Sequence, residues 1–150
     1  MSKKTSMPAI IIDTNEQLPY IFLSIKPVPA VIYHKLETGD YSISGFENQI
    51  TIERKSMSDL FKSTGNDRDR FEREFERMSL FPYAALVIEG DLSSIFLNPP
   101  YPSQMEPKSV YRTLLSWSEK YGVHVWPCPD RVFAEKTTYL LLNFWWRHNQ

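Results

Sequence analysis

The stretch Thr51-Ile-Glu-Arg-Lys-Ser-Met-Ser-Asp-Leu-Phe61 (TIERKSMSDLF) sets a carboxylate and an ammonium two residues apart at the end of an apolar alternation. In an extended chain, residues two apart share a face, so Glu53 and Lys55 point one way while Ile52 and Arg54 point the other. Upstream, Asp40-Tyr-Ser-Ile43 alternates as well, and the turn SGFENQ between the two runs allows them to pair as a hairpin. With Ile43 opposite Ile50, Tyr41 faces Ile52 and Asp40 faces Glu53. One surface then carries Tyr41, Ile43, Ile50, Ile52 and Arg54, and the other Asp40, Ser42, Thr51, Glu53 and Lys55. Directly opposite residues have Cβ atoms about 5 Å apart. Two carboxylates that close repel each other unless a cation lies between them.

Hard oxygen ligands suit magnesium, which takes one or two carboxylates and completes its octahedron with water and phosphate oxygens. Lys55 shares the face of Glu53 and can stabilise charge developing on a phosphate or position a water, while a metal lowers that water's pKa. Asp13 ends a short β-branched run, Ala9-Ile-Ile-Ile12, and adds a third carboxylate if that strand lies beside the hairpin, with Glu16 following it. Spacing leaves that condition open, and an isolated Glu-x-Lys is ordinarily solvated surface.

Working outward, Val31 to Leu36 is a further strand and Asn15 to Pro29 a loop or short helix. After the hairpin, the polar interval KSTGNDRD is expected to be exposed loop. Phe71, Phe75 and Met78 recur at helical spacing and predict an amphipathic helix from about Asp69 to Leu80, its other charges solvated. Ala84 to Ile88 is a continuous apolar strand suited to a sheet covered on both faces, with Asp91 beyond it as a turn residue. A proline-rich loop, NPPYPSQMEP, precedes a helix with Val110, Leu114, Trp117 and Tyr121 on one face and Gly122 as its C-terminal cap. Val123 to Trp126 is a last strand stopped by Pro127, and Ala134 to His148 a final helix, apolar nearly all round in its second half. The expectation is a mixed α/β domain.

The chain of 150 residues, 42% hydrophobic, is long enough for one substantial core and predicts one domain. With 17 basic against 18 acidic residues, nucleic-acid binding must rest on a local patch. A lone cysteine, Cys128, excludes an intrachain disulfide framework and a multi-cysteine zinc site, and suits an intracellular compartment. His34, His124 and His148 have no ligand spacing. No apolar segment reaches the roughly 20 residues that a membrane span needs.

Taken together, Gly39-Asp40-Tyr41 and Glu53-Arg-Lys-Ser-x-x-Asp59-Leu60 resemble the GD…ERKxxxD signature of the XPF/Hef family of structure-specific DNA endonucleases. Asp13-Thr-Asn-Glu16 is similar to the family's early acidic element, Arg70-Phe-x-x-Glu74 with Met78 to its Arg-Leu-x-x-Gln…Met helix, and Ala85 to Glu89 to its following strand. The resemblance implies a restriction-endonuclease-like mixed β-sheet flanked by α-helices, and hydrolysis of phosphodiester bonds with Mg2+ or Mn2+. It implies Asp40 and Glu53 as metal ligands with Asp13 beside them, Glu16 as a further acidic residue of the site, and Lys55 as the catalytic lysine. Asp59 falls at the start of the next helix, where Ser56-x-x-Asp59 also makes a capping pair, and counts as supporting before catalytic. Arg54 belongs to the motif; with Lys62, Arg68 and Arg70 it is a candidate for contacts to DNA phosphates, which confer salt-sensitive affinity without sequence information.

Two departures bear on specificity: Asp69 precedes Arg70 where the family commonly has Gly, and residues 1–150 leave no room for a helix-hairpin-helix domain. A short stand-alone nuclease domain suits a prokaryotic or phage setting, in DNA repair or recombination, acting on junction, flap or fork DNA. The apolar final helix suggests a homodimer. The competing expectation is a catalytically inactive DNA-binding or partner-binding module of the same fold, and a third is a nuclease acting on RNA or on ends.

Overall fold

The computed structural model describes residues 6–101 and 105–150. Short β-branched runs form β1 (Ile10–Ile12) and β2 (Val31–Tyr33), and the hairpin is β3 (Tyr41–Ile43) with β4 (Ile50–Ser56). β4 passes directly into α1 (Met57–Thr64), and α2 (Arg68–Met78) leads on to β5 (Tyr83–Glu89). The rest of the order is α3 (Leu92–Leu97), α4 (Pro107–Tyr121), β6 (His124–Cys128) and α5 (Arg131–His148). All six strands join one mixed sheet in the order β2-β1-β3-β4-β5-β6. Its β1–β3 and β3–β4 pairs are antiparallel, whereas β4, β5 and β6 run parallel. Parallel neighbours need crossover connections, which the helix pairs α1–α2 and α3–α4 supply.

Tyr41 pairs with Ile52, the register that the alternation requires. β1 does lie beside the hairpin, with Ile12 opposite Tyr41. Both faces of the sheet are covered. On one, Ile12, Tyr41, Ile43, Ile52 and Val87 pack with Tyr20, Phe22 and the α5 residues Ala134, Leu142 and Trp146. On the other, Leu86 and Ile88 pack with Leu60, Phe71, Phe75, Leu114 and Trp117 from α1, α2 and α4. Ala84 to Ile88 is accordingly buried throughout, as its unbroken apolar run predicts. Among the described residues no helix is long and apolar enough to cross a membrane.

Four local expectations change. The interval KSTGNDRD is largely helical: Lys62 to Thr64 complete α1, and Ser63 and Thr64 are buried. Thr64 can be buried because its Oγ1 donates to the carbonyls of Leu60 and Phe61 at 2.9 and 3.2 Å. Asp91 is the N-cap of the unforeseen α3, its carboxylate accepting from the Ser94 N–H at 2.9 Å. Pro127 lies within β6, which pairs only with β5; on an edge strand a missing N–H leaves no partner unmet. The final helix starts earlier than Ala134, because Asp130 caps it by accepting from the Phe133 N–H at 2.9 Å. Gly122 does end α4, at φ +66°, the left-handed conformation that a helix C-terminus favours and glycine adopts without strain.

Candidate active site

Asp40 immediately precedes Tyr41, whose side chain is in the core, so Asp40 turns to the opposite face with Glu53. Its backbone N–H donates to the Ile52 carbonyl at 2.8 Å, and its carboxylate accepts from the Arg54 N–H at 2.8 Å. Gly39 makes this approach possible. It sits at φ +82°, and a Cβ there would lie 1.9 Å from Thr51 Oγ1. That hydroxyl is buried and donates to the Thr38 carbonyl at 2.8 Å, so it is not free to move aside.

Glu53 is buried on this face, its carboxyl hydrogen-bonded with those of Asp40 and Glu74. Burial pushes its pKa well above the ordinary carboxylate range, and the charges of Asp40 and Glu74 push it further. Burial also raises Asp40, while hydrogen bonds from Glu53 and the Arg54 N–H act in the opposite sense. Glu53 is therefore the member of the cluster that holds a proton while no cation is bound. Among the described residues no cationic side chain makes an ion pair with Asp40, Glu53 or Glu74.

Glu74 escaped the site assignment because α2 reads as a charged, solvated helix. Its position held a signal: Glu74 falls three residues after Phe71 and four before Met78, on the same stripe as the buried Phe71, Phe75 and Met78. An acid within a buried stripe has to meet something, and here it meets Glu53.

Asp13 is buried beside Asp40, whose carbonyl accepts from the Asp13 N–H at 2.8 Å. Its carboxylate oxygens are occupied by the backbone N–H groups of Leu36 at 2.8 Å and Asn15 at 3.3 Å. The side chain thus ties the loop before β3 to the end of β1. Glu16, whose charge still acts to raise Asp40, receives Arg54 in a two-pronged ion pair, Nε and Nη2 each 3.0 Å from a carboxylate oxygen. The other side of the same guanidinium bonds Glu89 at 3.0 Å. Glu89 also accepts from the Tyr20 hydroxyl and from Arg131 Nη1, the latter at 3.1 Å. With a buried guanidinium and three bonds to carboxylates, Arg54 is not presented to DNA phosphates; it is a structural cross-link on the α5 side of the sheet. That corrects its placement among the DNA contacts, and the physical reason is the strand pleat that turns Arg54 away from Glu53 and Lys55.

Lys55 projects on the acidic side with its ammonium 5.1 Å from the centre of the Phe71 ring. A depression of about 270 Å³ there is lined by Lys55, Asp59, Lys62, Arg70 and Glu74 among others. Ser56 caps α1 by accepting from the Asp59 N–H at 3.2 Å, which leaves the Asp59 side chain exposed at the mouth of the depression. Lys62 is exposed, and Arg70 is exposed while pairing with Asp67 at 3.0 Å. Arg68 stacks over Trp117 at 4.7 Å and bonds Thr113 Oγ1 at 2.9 Å, joining α2 to α4. Cys128 is buried, and burial raises its thiol pKa, so it is an inert packed residue.

A mixed sheet with helices on both faces and an acidic cluster at β3–β4 defines the restriction-endonuclease-like α/β class. XPF from Aeropyrum pernix superposes with a TM-score of 0.67 at 23% identity, over 90% of this chain and 58% of that one. XPF from Aeropyrum pernix in complex with DNA gives 0.63 and 24%, over 90% and 61%. The chain therefore spans about three-fifths of the length of these proteins. A model of the ERCC4 domain matches residues 12–141, and the chain belongs to the ERCC4 domain family. Comparison with curated proteins finds no match.

Proposed function

We propose that the protein is a divalent-metal-dependent endodeoxyribonuclease that hydrolyses phosphodiester bonds and selects branched DNA: junctions, flaps or forks. The observation that carries this reading is the acidic cluster of buried Glu53 with half-buried Asp40 and Glu74, which no side chain among the described residues balances with an ion pair. Carboxyls of Asp40 and Glu53 that burial drives towards the protonated form suit a hard divalent ion in place of the proton, Mg2+ or Mn2+. Among the described residues no three acidic, histidine or cysteine side chains form a complete ligand set, so water and phosphate oxygens would fill the remaining positions. Asp40 and Glu53 would hold the ion, with Asp13 fixing the strand end behind them. When bound, such an ion lowers the pKa of water and offsets charge on the phosphate.

Lys55 faces the same space and supplies an ammonium to the phosphate as negative charge builds on it. Asp59 at the mouth helps to orient Lys55 and the incoming strand. Lys62, Arg68 and Arg70 supply phosphate contacts, so selectivity between DNA forms comes from shape rather than bases. On the outer side of α5, Phe133, Leu140 and Phe144 are about half exposed at 55, 43 and 46%, which supports pairing with a second copy through this helix.

The test is cleavage of labelled duplex, single-stranded, flap, fork and four-way DNA with Mg2+ and with Mn2+. The expected result is metal-dependent cutting, lost by a factor on the order of 10² or more in Glu53→Gln and Lys55→Ala. No cutting of any substrate with either ion would overturn the assignment. Light scattering at micromolar protein tests the dimer, and a clean monomer rules it out.

A further inference from the structure

A second groove lies between α1, α2 and α4, outside the acidic cluster, with a volume of about 1050 Å³. Lys62 from α1, Arg68 from α2 and Arg112 from α4 line it, and no carboxylate does among the described residues. The chain as a whole carries a net charge of −1, so a recess whose charged lining residues are all cations is a local concentration of charge. Lys62 and Arg112 make no ion pair among the described residues and are exposed. Tyr101 stands at the rim, the residue 98% exposed. Lys62 also lines the depression that holds Lys55 and Glu74, so the groove adjoins the candidate active site through Lys62, across a stretch of mixed charge that includes Asp59 and Asp67.

We infer that this groove is a second DNA subsite, which takes a single-stranded segment of the substrate with its phosphates on Lys62, Arg68 and Arg112 and a base stacked on Tyr101. The inference rests on the nuclease reading for the identity of the substrate. Its own basis is the juxtaposition of three cations, an open aromatic ring and a recess. A recess between helices admits a flexible strand more readily than a duplex, whose bases are stacked internally and offer no face to a tyrosine. Positive grooves with aromatic platforms are the general arrangement for single strands. The subsite would make an unpaired segment next to the cut part of what the protein recognises.

Fluorescence anisotropy of a labelled oligothymidylate, in EDTA so that nothing is cut, tests this with the full chain. Arg112→Glu is expected to weaken single-strand binding about tenfold or more and to reduce the slope of log K against log salt by roughly 0.7 per lost phosphate contact. Tyr101→Ala is expected to weaken it about fivefold or more, with Tyr101→Phe close to the parent, since stacking needs the ring and not the hydroxyl. A duplex of equal length should be indifferent to Tyr101→Ala. Unchanged oligothymidylate affinity in both variants, equal losses for duplex, or equally tight binding of polyglutamate would each overturn the subsite. Cleavage separates the two readings: an inactive parent that still binds strands through Arg112 removes the nuclease and keeps the groove, whereas an active parent indifferent to Arg112→Glu and Tyr101→Ala removes the groove alone.

Discussion

Glu53 and Arg54 are neighbours in the chain and belong to two charged clusters of opposite character. On one face Arg54 has each of its sides bonded to a carboxylate, Glu16 and Glu89, and Glu89 is further held by Tyr20 and Arg131. On the other, the charged partners of Glu53 among the described residues are the acids Asp40 and Glu74. Burial is comparable, so desolvation alone does not separate them. Compensation does: a buried ion pair with its hydrogen bonds complete is a fixed cross-link, whereas uncompensated buried acids raise their own pKa and favour any arriving cation.

Breaking the compensated side should show the largest effect on stability. Arg54→Met leaves Glu16 buried without its cation and Glu89 with Arg131 and Tyr20 alone, and should cost about 3–5 kcal/mol in urea denaturation. A loss below about 1 kcal/mol would mean that the network is already solvated and the contrast is unfounded. Gly39→Ala comes next. It attacks the backbone that brings Asp40 to Glu53, and its positive φ and the contact with Thr51 should cost about 1–3 kcal/mol. Folded Gly39→Ala protein with unchanged stability would show that the turn adapts.

The smallest effect sharpens the contrast because its sign is opposite. The Glu53 pKa is raised from its ordinary 4.5 in the folded protein, so the native state binds that proton more tightly than the unfolded chain. As pH rises above about 4.5, stability is lost from this group until the raised pKa is passed, about 1.4 kcal/mol for each unit between the two values. Without divalent metal, Glu53→Gln should therefore melt above the parent at pH 8, and the gap should close near pH 4.5. A variant that melts below the parent at pH 8 would show that the cluster is not under electrostatic strain. Added Mg2+ should stabilise the parent and leave Glu53→Gln nearly unmoved.

Much of the architecture was legible because alternation has only two phases. Once Tyr41 and Ile52 were assigned to the core, Asp40 and Glu53 had to share the other face, and Arg54 had to leave it. Helix α2 was equally plain from Phe71, Phe75 and Met78. What failed did so where burial and sheet position decide: Thr64 is buried because carbonyls of its own helix satisfy it, and β6 runs through Pro127 because it is an edge. The partners of Arg54 come from residue 16 and residue 89, and no local pattern links those three.

The sequence by itself determined the strand phases, the pairing of Asp40 with Glu53, and the common face of Glu53 and Lys55, because pleat geometry acts between residues two apart. Only the tertiary structure decided that Glu74 joins the acids, that Glu16 goes to Arg54 instead, and that Lys62, Arg68 and Arg112 converge on one groove. Those relations depend on how α2 and α4 cross the sheet and on where loops return. Packing of distant apolar faces sets both.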